Sequence, residues 1–217
     1  MKKKPHHALI IGNGEVPSRK LLVPLLKAKP YIICADGGAN KARSYGIVPD
    51  CIAGDLDSIT RQTRHYFASV PIIHNADQYS TDLEKALDIA VEKKFTSAVI
   101  IGAMGERPDH TFSNFSILAK YHKRIALQLF DDRCTVEVID RRVRFAAAIG
   151  QQISLMPMGR CTGITTYGLR YPLRNESLQL GVREGSSNEA VRSTVTVSVH
   201  SGFLLLFKIH PDKGISR

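Results

Sequence analysis

Tryptophan is absent from the 217 residues, and cysteine and methionine occur four times each. Cys34, Cys51, Cys134 and Cys161 are far apart and form no CxxC pair. That spacing argues against a disulfide framework and for a reducing cytoplasm. No apolar run approaches the roughly 18–20 residues of a membrane span, and the late stretch Phe203 to Phe207 is only strand-sized. The basic start, Met1-Lys2-Lys3-Lys4, leads into a short strand and lacks the small-residue cleavage site of a signal peptide. No GxxxxGK[ST] phosphate loop occurs. Gly12-x-Gly14 lacks the third glycine of a dinucleotide fingerprint, because Pro17 holds that place. No Ser-His-Asp or Cys-His arrangement stands out, and there is no internal repeat or low-complexity segment.

The chain is an ordinary globular mixture, 43% hydrophobic and 23% charged, which rules out a disordered chain. Lys and Arg total 30 against 20 acids, a formal charge of +10. Aromatics are only 7%. No Lys/Arg stripe interleaves with them, and neither a zinc knuckle nor an RRM signature appears, so nucleic acid is not the expected partner. The excess charge reads as a solvated basic surface, and after that as one attractive to a nucleotide polyphosphate.

Through the first two thirds, apolar strands alternate with helices. Ala8–Gly12, Tyr31–Ala35, Cys51–Gly54, Pro71–His74, Ser97–Ile101 and Ala126–Phe130 read as strands. Between them the pattern predicts helices after Ser18, over Asn40–Tyr45, Thr60–Ala68, Asp82–Lys94 and His110–His122. Leu83, Ala86, Leu87, Ala90 and Val91 make one apolar helical face, and Thr81 with Glu84 has capping-box spacing. Such alternation predicts an α/β domain with a mainly parallel sheet over residues 1–140. Helical periodicity then fades. Short β-like segments predict an all-β domain over residues 141–217, ending in a hairpin of Thr194–His200 and Phe203–Ile209.

Carboxylates fall at the strand ends. Asp36, Asp55 and Asp57 each follow a buried strand, Asp77 and Asp82 flank a helix start, and Asp109 follows a glycine-rich turn. Parallel strands aim their C-terminal ends at one edge, where ligands bind, so these residues should converge. Taken singly, a strand-end aspartate is more often a cap or turn residue than a ligand. Gathered together, carboxylates favour a hard divalent ion, most simply Mg2+ shared with phosphate oxygens. The Asp55-x-Asp57 pair is the better signal, although many metal-dependent transferases share it. Asp88, deeper in its helix, reads as surface.

Gly37-Gly38 serves either a tight turn or the approach of backbone N–H groups to an anion. Gly102-x-x-Gly105, followed by Arg107 and Asp109, offers a guanidinium fork for phosphate and an acid to orient it. His110 and Asn114 share a helix face, and for His110 a structural hydrogen bond is the commoner role.

Four collinear segments resemble thiamine pyrophosphokinases. They are Ala35-Asp36-Gly37-Gly38-Ala39-Asn40, then Pro49-Asp50-Cys51-Ile52-Ala53-Gly54-Asp55-Leu56-Asp57-Ser58, then Asp77-Gln78-Tyr79-Ser80-Thr81-Asp82-Leu83-Glu84-Lys85-Ala86, then Gly102 to His110 with Asn114 beyond. Gly168-Leu169-Arg170-Tyr171-Pro172-Leu173 and Ser187-Asn188 follow in the order the family shows. The resemblance implies an α/β nucleotide-binding domain, a C-terminal β-sandwich that binds thiamine and dimerises, and a homodimer with sites at its interface. It implies transfer of a pyrophosphoryl group from ATP to the thiamine hydroxyl, releasing AMP.

By position, Asp36, Asp55, Asp57 and Asp82 would hold Mg2+. Asp57, Asp82 and Gln78 would be catalytic. Gly37, Gly38, Gly102, Gly105, Arg107, Asp109, His110 and Asn114 would hold the nucleotide. Gln78, Asp82, Ser187 and Asn188 would meet thiamine. Glu106 stands where the family has a glycine, with backbone strain expected if that position needs φ > 0. Without Trp, the aromatic over thiamine would be Tyr167, Tyr171 or Phe203. A DxD-type nucleotide-sugar transferase is the rival enzyme reading. It leaves the Asp77-to-Asp82 and Arg107-to-Asp109 segments unexplained.

Overall fold

The computed structural model describes residues 7–75, 77 and 79–211. Two compact units make up the chain, Met1–Asp132 and Arg133–Arg217.

The first unit runs β1 (His7–Ile11), α1 (Arg19–Lys27), β2 (Tyr31–Ala35), α2 (Gly38–Tyr45), β3 (Cys51–Gly54), α3 (Arg61–Tyr66), β4 (Ile72–His74), α4 (Asp82–Glu92), β5 (Ser97–Ile101), α5 (Pro108–Tyr121) and β6 (Ala126–Phe130). Its strands lie in the order β6-β5-β1-β2-β3-β4, with every neighbouring pair parallel. The order reverses at β1, which lies between β2 and β5. That reversal opens a crevice beyond the strands' C-terminal ends.

Both faces of the sheet are covered, and this explains why its strands are apolar runs rather than alternating ones. Leu22 of α1 and Ala39 and Ala42 of α2 pack with Leu9, Ile11, Cys34, Ile52 and Ile101. On α4, Leu83, Ala86, Leu87, Ile89 and Ala90 are buried against β1, β2 and β3. The predicted capping box is present. The Thr81 hydroxyl accepts from the Glu84 N–H and the Glu84 carboxylate accepts from the Thr81 N–H. No helix among the described residues is long and apolar enough to cross a membrane.

Several element ends depart from the sequence reading. α5 begins at Pro108, not His110, because proline's missing N–H and fixed φ suit a first helical turn. α1 keeps Pro24 in its interior, and Ser18 sits at its N-cap without a side-chain cap bond. The Ser18 N–H instead donates to the Asp132 carboxylate at 3.0 Å.

The second unit is a sandwich of two antiparallel sheets. Its strands are β7 (Cys134–Ile139), β8 (Val143–Ala146), β9 (Gln152–Pro157), β10 (Arg160–Tyr167), β11 (Arg174–Gln179), β12 (Gly185–Glu189), β13 (Thr194–Ser198) and β14 (Leu204–Ile209). One sheet is β12-β9-β14-β7 and the other β11-β10-β13-β8. Ile139, Ile153, Leu155, Leu204 and Leu206 of the first pack on Ile164, Leu178, Val195 and Val197 of the second. The chain divides before residue 140 because β7 pairs along its length with β14.

The expected terminal hairpin is not formed. β13 pairs with β8 and β10, whereas β14 pairs with β7 and β9. The turn at Ser201 and Gly202, with Gly202 at φ +82°, carries the chain from one sheet to the other. Cys34, Cys51, Cys134 and Cys161 are all buried, and no disulfide joins them.

Backbone contact at the switch point leaves no room for a side chain on Gly38. A Cβ there would overlap the Ile11 carbonyl oxygen and come within 2.8 Å of its carbon. Gly38→Ala must therefore push α2 off β1. A loss of about 1–3 kcal/mol, typical of overpacking, is expected in urea unfolding, with an exposed control such as Val23→Ala near parental.

Candidate active site

Asp36, Asp55 and Asp57 stand at the ends of β2 and β3, next to each other in the sheet. Each offers a carboxylate oxygen, and the three oxygens lie within 4.8 Å of one another. Asp36 is 1% exposed. Its backbone takes the left-handed φ of 39°, which turns the chain sharply off the strand. Its Oδ2 accepts from the Ser58 N–H at 3.1 Å, and its Oδ1 is buried with no hydrogen-bond partner.

Burial pushes the Asp36 carboxyl up, only partly offset by the Ser58 N–H, and Asp82 and Asp57 push it further. A buried oxygen without a donor, facing further carboxylates, suits a hard cation. At such separations two like charges repel by about 3 kcal/mol in an effective dielectric of ~20.

Gly54 makes this crowding possible. At φ +143° it ends β3, and a Cβ on it would lie 2.8 Å from the Asp36 Cβ and 3.1 Å from Asp82 Oδ1. Asp82, first residue of α4, thus reaches the cluster's edge, and its carboxyl is pushed up by burial and by Asp55 and Asp57, against the pull of Lys85. The Lys85 ammonium lies 3.3 Å from Asp82 and 3.6 Å from Asp55. Asn40 of α2 ties down the loop after β3, donating to the Ser58 carbonyl at 2.8 Å and accepting from the Thr60 N–H.

The crevice has a volume of about 580 Å³. Asp36, Gly37, Asp55, Asp82 and Lys85, from the ends of β2 and β3 and from α4, line one part of it. Gly102, Gly105, Arg107, His110 and Asn114 form the other. Gly12 and Gly14 are closely packed on the Gly102 carbonyl; the Gly14 N–H donates to it at 2.7 Å, and the Gly12 N–H donates to the Ile101 carbonyl at 2.8 Å. Arg107 is exposed at the rim and bonded to Asp109 at 2.6 Å. Asn114 donates to the Ala103 carbonyl at 2.7 Å and so braces the loop rather than facing the crevice with a free amide. Gly105 takes the positive φ, +88°, and Glu106 does not, so no strain falls on Glu106. Its carboxylate pairs with Lys41 at 3.0 Å instead. Gln78 lies outside the described residues.

Ser187 and Asn188 belong to the second unit. Ser187 is exposed, at φ 55°, and its N–H donates to Ser154 Oγ at 3.0 Å. Asn188 is buried. Its side-chain oxygen accepts from the Tyr171 and Glu189 N–H groups, and its amide donates to the Tyr171 carbonyl at 2.7 Å. The amide is thus spent on holding Tyr171, a residue that is 66% exposed. Arg192 already lies over the Tyr167 ring at 5.2 Å.

Lys85 is the residue to which sequence reasoning gave no role. Its signal was the i, i+3 spacing from Asp82 on the same helix face.

Residues 22–129 match the family model described as thiamin pyrophosphokinase, catalytic domain, and residues 137–204 match that family's vitamin B1 binding domain. The thiamine pyrophosphokinase of Bacillus subtilis is 32% identical over 81% of this chain and 86% of its own. Thiamin pyrophosphokinase 1 of Caenorhabditis elegans is 31% identical over 87% and 82%. The crystal structure of the Bacillus subtilis thiamine pyrophosphokinase superposes with a TM-score of 0.85 at 28% identity, covering 94% of this chain and 99% of that one.

A raised carboxyl opposes folding once it ionises. The Asp36 contribution to stability is therefore whole below the ordinary value of 3.8 and is lost as pH rises through its higher folded value. Asparagine tolerates the left-handed conformation and still accepts from Ser58. Asp36→Asn is expected to melt above the parent at pH 7 in EDTA, with the advantage closing toward pH 4. Equal melting at both pH values would show that the carboxylate is not penalised.

Proposed function

The chain belongs to the thiamine pyrophosphokinase family, and on that premise we propose that the acid-lined crevice of its first unit is where the pyrophosphoryl group changes hands. The activity is transfer of that group from ATP to the hydroxyl of thiamine, giving thiamine pyrophosphate and AMP. The observation that carries the site assignment is the buried, partnerless Asp36 oxygen beside Asp55 and Asp57.

Those three residues, with Asp82 at their edge, have the donor set for Mg2+, as the resemblance implies. The ion would screen the phosphate oxygens and stabilise charge developing on them. Arg107 contributes a second cation at the opposite rim. Its bond to Asp109 is exposed on both sides and can be exchanged for a phosphate or ribose contact. The backbone around Gly37, Gly38, Gly102 and Gly105 brings N–H groups close to the bound nucleotide. Asn114 acts indirectly, by fixing the loop that carries these glycines. His110 lines the same wall.

A primary alcohol is a weak nucleophile at neutral pH, so alignment matters more than its deprotonation. Gln78 holds the thiamine hydroxyl in this reading. Asp82, its carboxyl raised by burial, accepts the proton as the new bond forms, with Asp57 as the alternative acceptor. Within the second unit, Tyr171 is an exposed aromatic whose backbone Asn188 holds, and its face suits a cationic ring such as thiazolium. Tyr167 is less suited because Arg192 covers its face.

A homodimer and a cytoplasmic location complete the proposal. The first rests on the resemblance, and the second is supported by four buried cysteines without a disulfide.

Incubation with ATP, Mg2+ and thiamine, with AMP measured directly, tests the activity. Asp55→Asn and Asp57→Asn should each lower AMP release at least ~100-fold, on the scale of losing electrostatic stabilisation of the transition state, while circular dichroism stays parental. Wild-type turnover in both would refute the metal assignment. Tyr171→Ala should raise the KM for thiamine roughly 5- to 30-fold, the loss of about 1–2 kcal/mol of cation–π contact, and leave the KM for ATP unchanged. Tyr171→Phe should behave as the parent.

A further inference from the structure

Lys85 is the only lysine or arginine among the described residues that is buried. Its side chain is 3% exposed, and its ammonium sits between Asp55 and Asp82, 3.6 Å from one and 3.3 Å from the other. A buried lysine is stable only where its charge is met, and here two carboxylates meet it. α4 fixes it in place, since Leu83, Ala86 and Leu87 around it are themselves buried.

Enzymes that transfer phosphoryl groups with two metals hold the ions ~3.5–4 Å apart, usually on a carboxylate common to both. Asp55 has the position of that common carboxylate. One of its neighbourhoods contains Asp36 and Asp57, with the partnerless Asp36 oxygen. The other contains Asp82, and an ammonium already occupies it.

We propose that Lys85 takes the place of a second divalent ion, so that the chain itself holds one ion beside Asp36, Asp55 and Asp57 rather than a pair. This rests on the metal reading of the same crevice. The lysine does two things there. It lowers the repulsion among four carboxylates before any substrate arrives, keeping them assembled. It also supplies a fixed positive charge on the Asp82 side, where the thiamine hydroxyl loses its proton. Unlike an ion, it cannot leave with a product phosphate.

The test counts bound Mn2+ on the full chain, without nucleotide, from the loss of the free-ion electron paramagnetic resonance signal. The parent should bind one Mn2+ per chain. Lys85→Met, similar in length but neutral, should bind two, and Lys85→Arg should return to one. Thermal melting confirms that each variant is folded. Two ions on the parent chain would overturn the proposal and leave the metal reading standing. A folded Lys85→Met chain that still binds one ion would do the same. No Mn2+ on the parent would remove the metal reading, and the proposal with it. Lys85→Gln and Lys85→Leu, equally neutral, are counted beside Lys85→Met, so the result does not depend on one variant folding: two ions on a folded neutral variant support the proposal and one overturns it.

Discussion

A carboxylate at the end of a strand covered on both faces loses most of its water, and Asp36 is in that position. The rest of the crevice is arranged around tolerating it. The left-handed turn at Asp36 directs the chain into α2, and the Ser58 N–H supplies one donor. Gly54 gives up its side chain so that Asp36 and Asp82 can approach. Asn40 anchors the loop that brings Asp55 and Asp57 alongside. One oxygen is left without a donor in spite of all this. The arrangement concentrates negative potential at a point that only a cation relieves, and the same potential repels a triphosphate that arrives without one.

The sheet order explains why residues distant in sequence meet. With β1 at the reversal, α2 leaves on one side of the crevice and the loop after β5 on the other. Acids therefore come from β2, β3 and α4, whereas the basic and glycine-rich wall comes from the β5–α5 connection. The two walls have different chemistry because they belong to the two halves of a doubly wound sheet. Sidedness of this kind suits a substrate with an anionic middle flanked by two neutral or cationic ends.

Much of this was legible in the sequence. Acids directly after short apolar runs marked the strand ends, and Thr81 with Glu84 marked the start of α4, because both signals are local. What escaped was set by tertiary pairing. Thr194–His200 and Phe203–Ile209 have hairpin spacing, yet β14 is a central strand claimed by β7 and β9. The helix pattern begins at His110, whereas α5 starts two residues earlier, at Pro108. Asn188 carried a family motif, and only its neighbours reveal an amide wholly engaged by backbone. Lys85 stood inside the third family-like segment and three residues after Asp82, yet its burial between two carboxylates follows from tertiary packing and not from that spacing. Glu106, in the place of the family's glycine, carries no left-handed strain because Gly105 takes the positive φ.

The buried thiols have a practical consequence. Cys34 and Cys51 lie in adjacent strands of the first unit, and Cys134 and Cys161 in the second. Burial pushes the Cys34 thiol far above its ordinary value, so almost none of it is thiolate in the native state. An alkylating reagent should therefore find these sulfurs only when the surrounding strands open. Each modified cysteine would then act as a clock for its own unit, and mass spectrometry of the adducts would time the two openings separately.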